Sequence, residues 1–211
     1  MIKTILVDGD GRGNKVSVNS EGALYTVAHP HPPKTETDAA LPFRQYLTDD
    51  GTSTGTVDMR VDGSTNNVMY CVTASPDYDI YIRNIAVVIA DQNAVLNKFG
   101  NITALTNGVE FSWISQDLGD IVIADSLKSN FDFVQLALGQ PAFGDGTAAF
   151  RAGNIVGASE GYIPNIDLSK TFGLPWGVRL RQGTKDMICF TVKDDVTLVD
   201  RFDAVCYGIR F

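Results

Sequence analysis

The chain has 211 residues, 44% hydrophobic and 20% charged, and a net charge of −8 from 25 acidic and 17 basic side chains. That length suits one domain with extensions, or two very small domains; folded as one body it buries about 70% of its unfolded surface without staples. No Lys/Arg run offers a row of phosphates its counter-charge, and no window nears the ~18 uninterrupted apolar residues of a membrane helix. Neither a nucleic acid nor a membrane is therefore an expected partner.

The start, Val7-Asp8-Gly9-Asp10-Gly11-Arg12-Gly13-Asn14-Lys15-Val16-Ser17-Val18, reads as tiny strand runs broken by glycine turns. Ala23-Leu24-Tyr25-Thr26-Val27 adds a second run, and His29-Pro30-His31-Pro32-Pro33 a stiff extended arm. Lys3 is present but no apolar h-region precedes Asp8, so no cleaved secretion signal is expected. Strand chemistry without a core of its own completes its hydrogen bonds against something else, because an isolated two-stranded ribbon is marginal in water. Residues 1–33 are thus expected to form an N-terminal β-hairpin or strand arm. Val16, Val18, Leu24 and Val27 are its candidate partner-binding anchors, engaging by strand addition. Residues 34–54, continuing the proline-rich run with Pro42, are expected to be a linker.

From residue 55 the pattern turns to short strands and turns. Val57, Met59 and Val61 alternate, Asp62 to Asn67 makes a turn, and Val68, Tyr70 and Val72 resume, which predicts a hairpin. Ile80 and Ile82 set one phase and Ile85, Val87 and Ile89 the opposite one, so a bulge or a strand crossing a sheet corner is predicted at Arg83-Asn84. Residues 91–107 suit turns, with Asp91 as a cap. Val109, Phe111 and Trp113 follow an Asn107-Gly108 turn at period two. Leu118 to Leu138 reads as two elements joined by a polar turn. Residues 139–177, rich in Gly and Pro, read as long connections with one strand around Ala148 to Arg151. Val178 and Leu180, then Ile188, Phe190 and Val192, then a run from Phe202 to Phe211 close the chain, with the last residue paired in a sheet. About eight such runs, without a repeat, predict an all-β fold: a jelly-roll-like antiparallel β-sandwich over residues 55–211. Cys71, Cys189 and Cys206 each sit in an apolar run and are expected to be buried and unpaired, in a chain that folds in a reducing compartment.

Few motifs carry chemistry. Gly157-Ala158-Ser159-Glu160-Gly161 matches a nucleophile elbow, yet Tyr162-Ile163-Pro164 follows where a helix is needed, and the only histidines, His29 and His31, lie upstream. Asp8, Asp10 and Arg12 imitate the opening of a calcium loop but put arginine at a ligand position and Asn19 where a glutamate belongs. His29 and His31 alone are too few for a metal. The spacing of Gly9, Gly11 and Gly13 lacks the strand and helix of a dinucleotide site. Asn101-Ile102-Thr103 is a glycosylation sequon without a secretory context. Asp194, Asp195 and Asp200 read as turn formers, and Glu110 as an outward residue of an edge strand. No catalytic residue, metal or cofactor is expected.

The opening resembles that of many tailed-bacteriophage virion proteins, in which a glycine-rich turn precedes two short strands. The closing runs, Val178-Arg179-Leu180-Arg181, Ile188 to Asp195 and Asp200 to Phe211, are similar to the terminal strands of phage jelly-roll capsid decoration (cement) proteins. The resemblance implies a non-enzymatic structural protein on the outer capsid surface of a virion, made in the bacterial cytoplasm. It also implies contact with the major capsid protein and self-association as a trimer or dimer. The alternative is a receptor- or carbohydrate-binding module of a tail or fibre base, with Tyr162, Phe172 and Trp176 as an aromatic platform. A hydrolase is the third reading.

Overall fold

The structure, a computed structural model, describes residues 40–48, 58–138 and 161–211 in full and the backbone of 17–18, 24–25, 151–155 and 159–160. Two units divide the chain, Met1–Thr35 and Glu36–Phe211. In the first, β1 (Ser17–Val18) pairs antiparallel with β2 (Leu24–Tyr25).

The second unit is a β-sandwich of two antiparallel sheets. Its strands are β3 (Leu41–Tyr46), β4 (Val68–Thr73), β5 (Ile80–Asp91), β6 (Val109–Ser115), β7 (Gly119–Leu127), β8 (Arg151–Ile155), β9 (Ser159–Tyr162), β10 (Asn165–Asp167), β11 (Val178–Leu180), β12 (Met187–Val192) and β13 (Arg201–Arg210). The larger sheet runs β3-β13-β5, and the free flank of β5 is then covered in turn by β9, β10 and β11, with β8 outside β9. The smaller sheet runs β4-β12-β6-β7. Taken in chain order, β3, β5, the β9–β11 flank and β13 fall in one sheet, and β4, β6, β7 and β12 in the other. That interleaving is the strand order of a jelly roll.

Alternation explains the core. In the smaller sheet the rows Val68–Val192–Val109–Leu127 and Tyr70–Phe190–Phe111–Ala124 face inward. Phe111 stacks on Phe190 at 4.7 Å, Phe133 lies 6.1 Å from Phe190 and 6.2 Å from Phe202, and Phe99 meets Phe202 edge-on at 5.0 Å, so aromatic rings join the two sheets. Phe133 comes from α1 (Asn130–Ala137), whose first turn is closed by reciprocal bonds between Ser129 and Asp132. The buried Asn130 side chain donates to the Val95 and Gly100 carbonyls and accepts from Gly100 N–H, pinning the loop before it. Asp91 accepts from the amides of Gln92 and Asn101, so it ties the two ends of a loop together and does not cap a helix as expected.

The phase slip in β5 is a bulge. Asn84 faces Tyr207 and Ile82 faces Gly208, leaving Arg83 as the extra residue, so Ile80, Ile82, Ile85, Val87 and Ile89 all reach the core. Two glycines make room for it. A Cβ on Gly208 would stand 1.8 Å from the Tyr81 carbonyl oxygen, and one on Gly177, at φ +80, 2.1 Å from that of Ile82. Phe211 exchanges two backbone bonds with Asp79, so the last residue is paired as expected.

Four expectations are corrected. The hairpin across Asp62 to Asn67 does not form: residues 59–62 run beside 195–202, with Met59 N–H on the Phe202 carbonyl and Val196 N–H on that of Val61, while β4 pairs with β12. The linker 34–54 holds a strand, because β3 forms six pairs with β13 as an edge strand, where Pro42 is tolerated. Residues 139–177 contain β8, β9, β10 and the short helix α2 (Leu168–Phe172) rather than one strand. Cys71 and Cys189 form a disulfide; Cys206 alone is free and buried, and burial pushes its thiol well above the ordinary range.

Candidate docking face

The sandwich has two outward faces, and they differ in chemistry. On the larger sheet, Arg44 of β3 lies opposite Tyr207 of β13, and Pro42 opposite Ile209, which in turn faces Tyr81 of β5 and then Arg179 of β11. The strands therefore bring residues from four separate stretches onto one surface. The Arg44 guanidinium lies 5.6 Å from the Tyr46 ring centre and 5.7 Å from that of Tyr207, and it donates to the Tyr46 hydroxyl at 3.2 Å. Arg179 sits 5.8 Å from the Tyr81 ring and is held by Asp79 at 2.6 Å; Phe211 packs edge-on against Tyr81 at 5.5 Å. Burial is the main reason the Tyr81 hydroxyl is pushed above its usual range, with Arg179 opposing it. At the same end Arg210 covers the Tyr78 ring at 4.9 Å, and the bulge leaves Arg83 exposed.

Among the described residues no carboxylate pairs with Arg44, Arg83 or Arg210. In a chain of net charge −8, that leaves Arg44 and Arg83 on the outer face of one sheet without a carboxylate among the described residues, while Arg210, opposite the core residue Ile80, lies on the inward side at the end of the sheet. Arginine and tyrosine are also the side chains that dominate binding energy at protein interfaces, since they present large area with a directed polar tip. The sequence contains no basic run, so this cluster was invisible to a linear reading. The signal was there in dispersed form: Arg44 and Arg210 each stand within two residues of an aromatic in a strand run.

The smaller sheet presents Met69–Thr191–Glu110, Cys71–Cys189–Ser112–Val122 and Thr73–Met187–Ile114–Asp120 as its outward rows. Its centre is made of small buried side chains, and its charge is largely neutralised: Lys193 bonds Glu110 at 2.5 Å and reaches Asp125 at 3.7 Å. Glu110 points outward as expected, but β6 is an interior strand, so it is a member of this ion pair on the sheet rather than an edge residue.

The other candidate residues resolve simply. Val18 pairs with Leu24 in the β1–β2 ribbon, while Val16 and Val27 lie outside the described residues, as do His29, His31 and the Asp8 to Gly13 loop. Ser159 opens β9, and β10 rather than a helix follows, so the strand-serine-helix geometry of a nucleophile elbow is not formed. Asp194 accepts from the amides of Asn107 and Gly108, and Asp195 from the amide and hydroxyl of Thr197, both as turn formers. Tyr162 is buried and Phe172 packs on Trp113 at 5.8 Å, which leaves Trp176 alone exposed and no aromatic platform. Among the described residues, no three His, Cys, Asp or Glu side chains are grouped to hold a metal, and no helix is long and apolar enough to cross a membrane. Comparison with known proteins finds no matching family model, no matching curated protein and no matching solved structure.

Proposed function

We propose that the protein is a non-enzymatic structural component of a phage virion, a cement or decoration protein that binds the major capsid protein on the outer shell. The observation that carries the reading is the division of labour in the chain: a ribbon of two-residue strands in one unit, and a jelly roll bearing an arginine-tyrosine face in the other. A ribbon that short does not hold itself together in water, and pairing with a neighbouring sheet edge supplies the missing backbone bonds. The arginine-tyrosine face supplies the second contact and fits a carboxylate-bearing surface on the neighbour. Jelly rolls serve capsids, lectins and enzymes alike, so the fold is compatible with the reading without selecting it. Residue resemblance at both chain ends favours the shell.

The test is co-sedimentation with capsid shells. Removing residues 1–33 is expected to leave the sandwich folded by circular dichroism while abolishing most shell binding and self-association. Unchanged binding by the truncated chain overturns the role of the arm. Binding that survives both this truncation and Arg44→Glu overturns the reading as a whole.

A further inference from the structure

The disulfide lies in an unusual place for a covalent tie. It joins β4, an edge strand, to β12 across the middle of their ladder. Cys71 donates its N–H to the Thr48 carbonyl at 2.6 Å and accepts from Thr48 N–H at 3.1 Å. Both of its backbone groups therefore point away from β12, so Cys71 and Cys189 face each other as a pair without mutual backbone bonds. That is the closer of the two antiparallel pair types, with Cα atoms about 4.5 Å apart. The observed separation is 4.2 Å. The register of six residue pairs, with Tyr70, Val72, Ile188 and Phe190 packed beneath, sets this approach before any sulfur bond exists. The third cysteine, Cys206, is fully buried on the other sheet and is removed from competition.

We propose that Cys71 and Cys189 form a thiol-disulfide exchange site: the chain folds with both thiols reduced, and a glutathione-class disulfide then oxidises the preset pair into a lock on the edge of the smaller sheet. Cys71 reacts first, because it is on the edge strand and is the more accessible of the two, at 6% against 0% exposure. Its thiolate attacks one sulfur of glutathione disulfide, giving a mixed disulfide and one glutathione thiolate. The Cys189 thiolate then attacks the Cys71 sulfur and expels the second glutathione. Two protein thiols lose two electrons and two protons, and one glutathione disulfide becomes two glutathione thiols. Such a lock closes on passage from a reducing to an oxidising medium, and because Cys71 is itself buried the first attack takes place during a transient local opening of the edge strand, after which the native register is restored. It adds a covalent tie to an edge strand whose outer flank is held, among the described residues, by the Thr48–Cys71 bridge instead of a full ladder. The inference stands independently of the shell reading.

The experiment compares the full-length chain, kept reduced throughout purification, before and after exposure to glutathione disulfide. Thiols are alkylated in denaturant and counted by mass spectrometry. The expected result is a β-rich circular dichroism spectrum in both forms, three alkylated thiols before exposure and one, Cys206, after it. Unfolding of the oxidised form in urea is expected to slow at least tenfold. Cys189→Ser is expected to retain one glutathione adduct on Cys71, trapping the first step. Three free thiols after exposure overturn the proposal, and so does an adduct on Cys206. A reduced wild-type chain that lacks β structure overturns the order of events, because the bond would then be a condition of folding.

Discussion

The two sheets obey the same alternation and share one interior, yet their outward halves have opposite character. The smaller sheet turns small side chains, a disulfide and a neutralised Glu110–Lys193 pair outward. The larger sheet turns arginine and tyrosine outward and leaves two of those arginines, Arg44 and Arg83, without carboxylates among the described residues. Inward residues are constrained alike in both sheets by packing, so they say little about function. The outward residues are free of that constraint, and the difference between the faces is where a role can be written.

The largest expected effect removes what the sheets share. Phe190→Ala deletes the ring that contacts Phe111 and Phe133, and it should cost about 4 kcal/mol in urea unfolding, with both sheets melting together. A loss confined to one sheet would show that the interior is not common to both. Gly208→Ala acts on the larger sheet alone. Its Cβ would collide with the Tyr81 carbonyl, so a loss of about 3 kcal/mol is expected, with hydrogen exchange rising first along β5 and β13.

Asp186 probes the junction between the sheets, where β11 of one leads to β12 of the other. Its buried carboxylate accepts from Arg181 Nε at 2.7 Å and from the Gln116 and Arg181 amides, and it is held well below the usual carboxylate range, chiefly by the Arg181 hydrogen bonds. A depressed folded-state value means that the stabilisation is complete above about pH 4, the unfolded value, and is lost as pH falls below it. Asp186→Asn should therefore cost about 2 kcal/mol at pH 7, and the gap from wild type should begin to narrow below about pH 4 and go on narrowing as the pH falls further. A constant gap across that range would refute the charge-based account. The smallest effect on stability, within about 0.5 kcal/mol, is expected for Tyr207→Ala on the exposed face. If that face docks a partner, the same variant should weaken shell binding at least tenfold, and no effect on binding would return the face to ordinary surface.

Much of the sandwich was legible because period two is local. Phe111 and Trp113, or Phe190 and Val192, declare their strand without reference to anything distant. The opposed phases of Ile82 and Ile85 located the irregularity, and the register against β13 decides that it is a bulge and not a strand crossing a sheet corner. What failed was pairing. The run at Met59 and Val61 looks like a hairpin partner for β4, but backbone bonds to residues 196 and 202 decide otherwise, more than 130 positions along the chain. Cys71 and Cys189 were read as separate because nothing local signals a register between residues 118 apart. Proline at 42 argued for a spacer, and only the edge position of β3 makes it compatible with a strand. The docking face was hidden for the same reason as the disulfide: its arginines meet only after the strands have been placed side by side.

Strand β3 also has a mechanical meaning. Its six pairs with β13 are crossed by hydrogen bonds that lie perpendicular to the strand axis, and Thr48 beyond its end is bonded twice to Cys71 in the opposite sheet. Tension that reaches Leu41 along the strand axis therefore shears all of those bonds at once instead of peeling them one by one. Strand β3 is thus an attachment suited to carrying a pull.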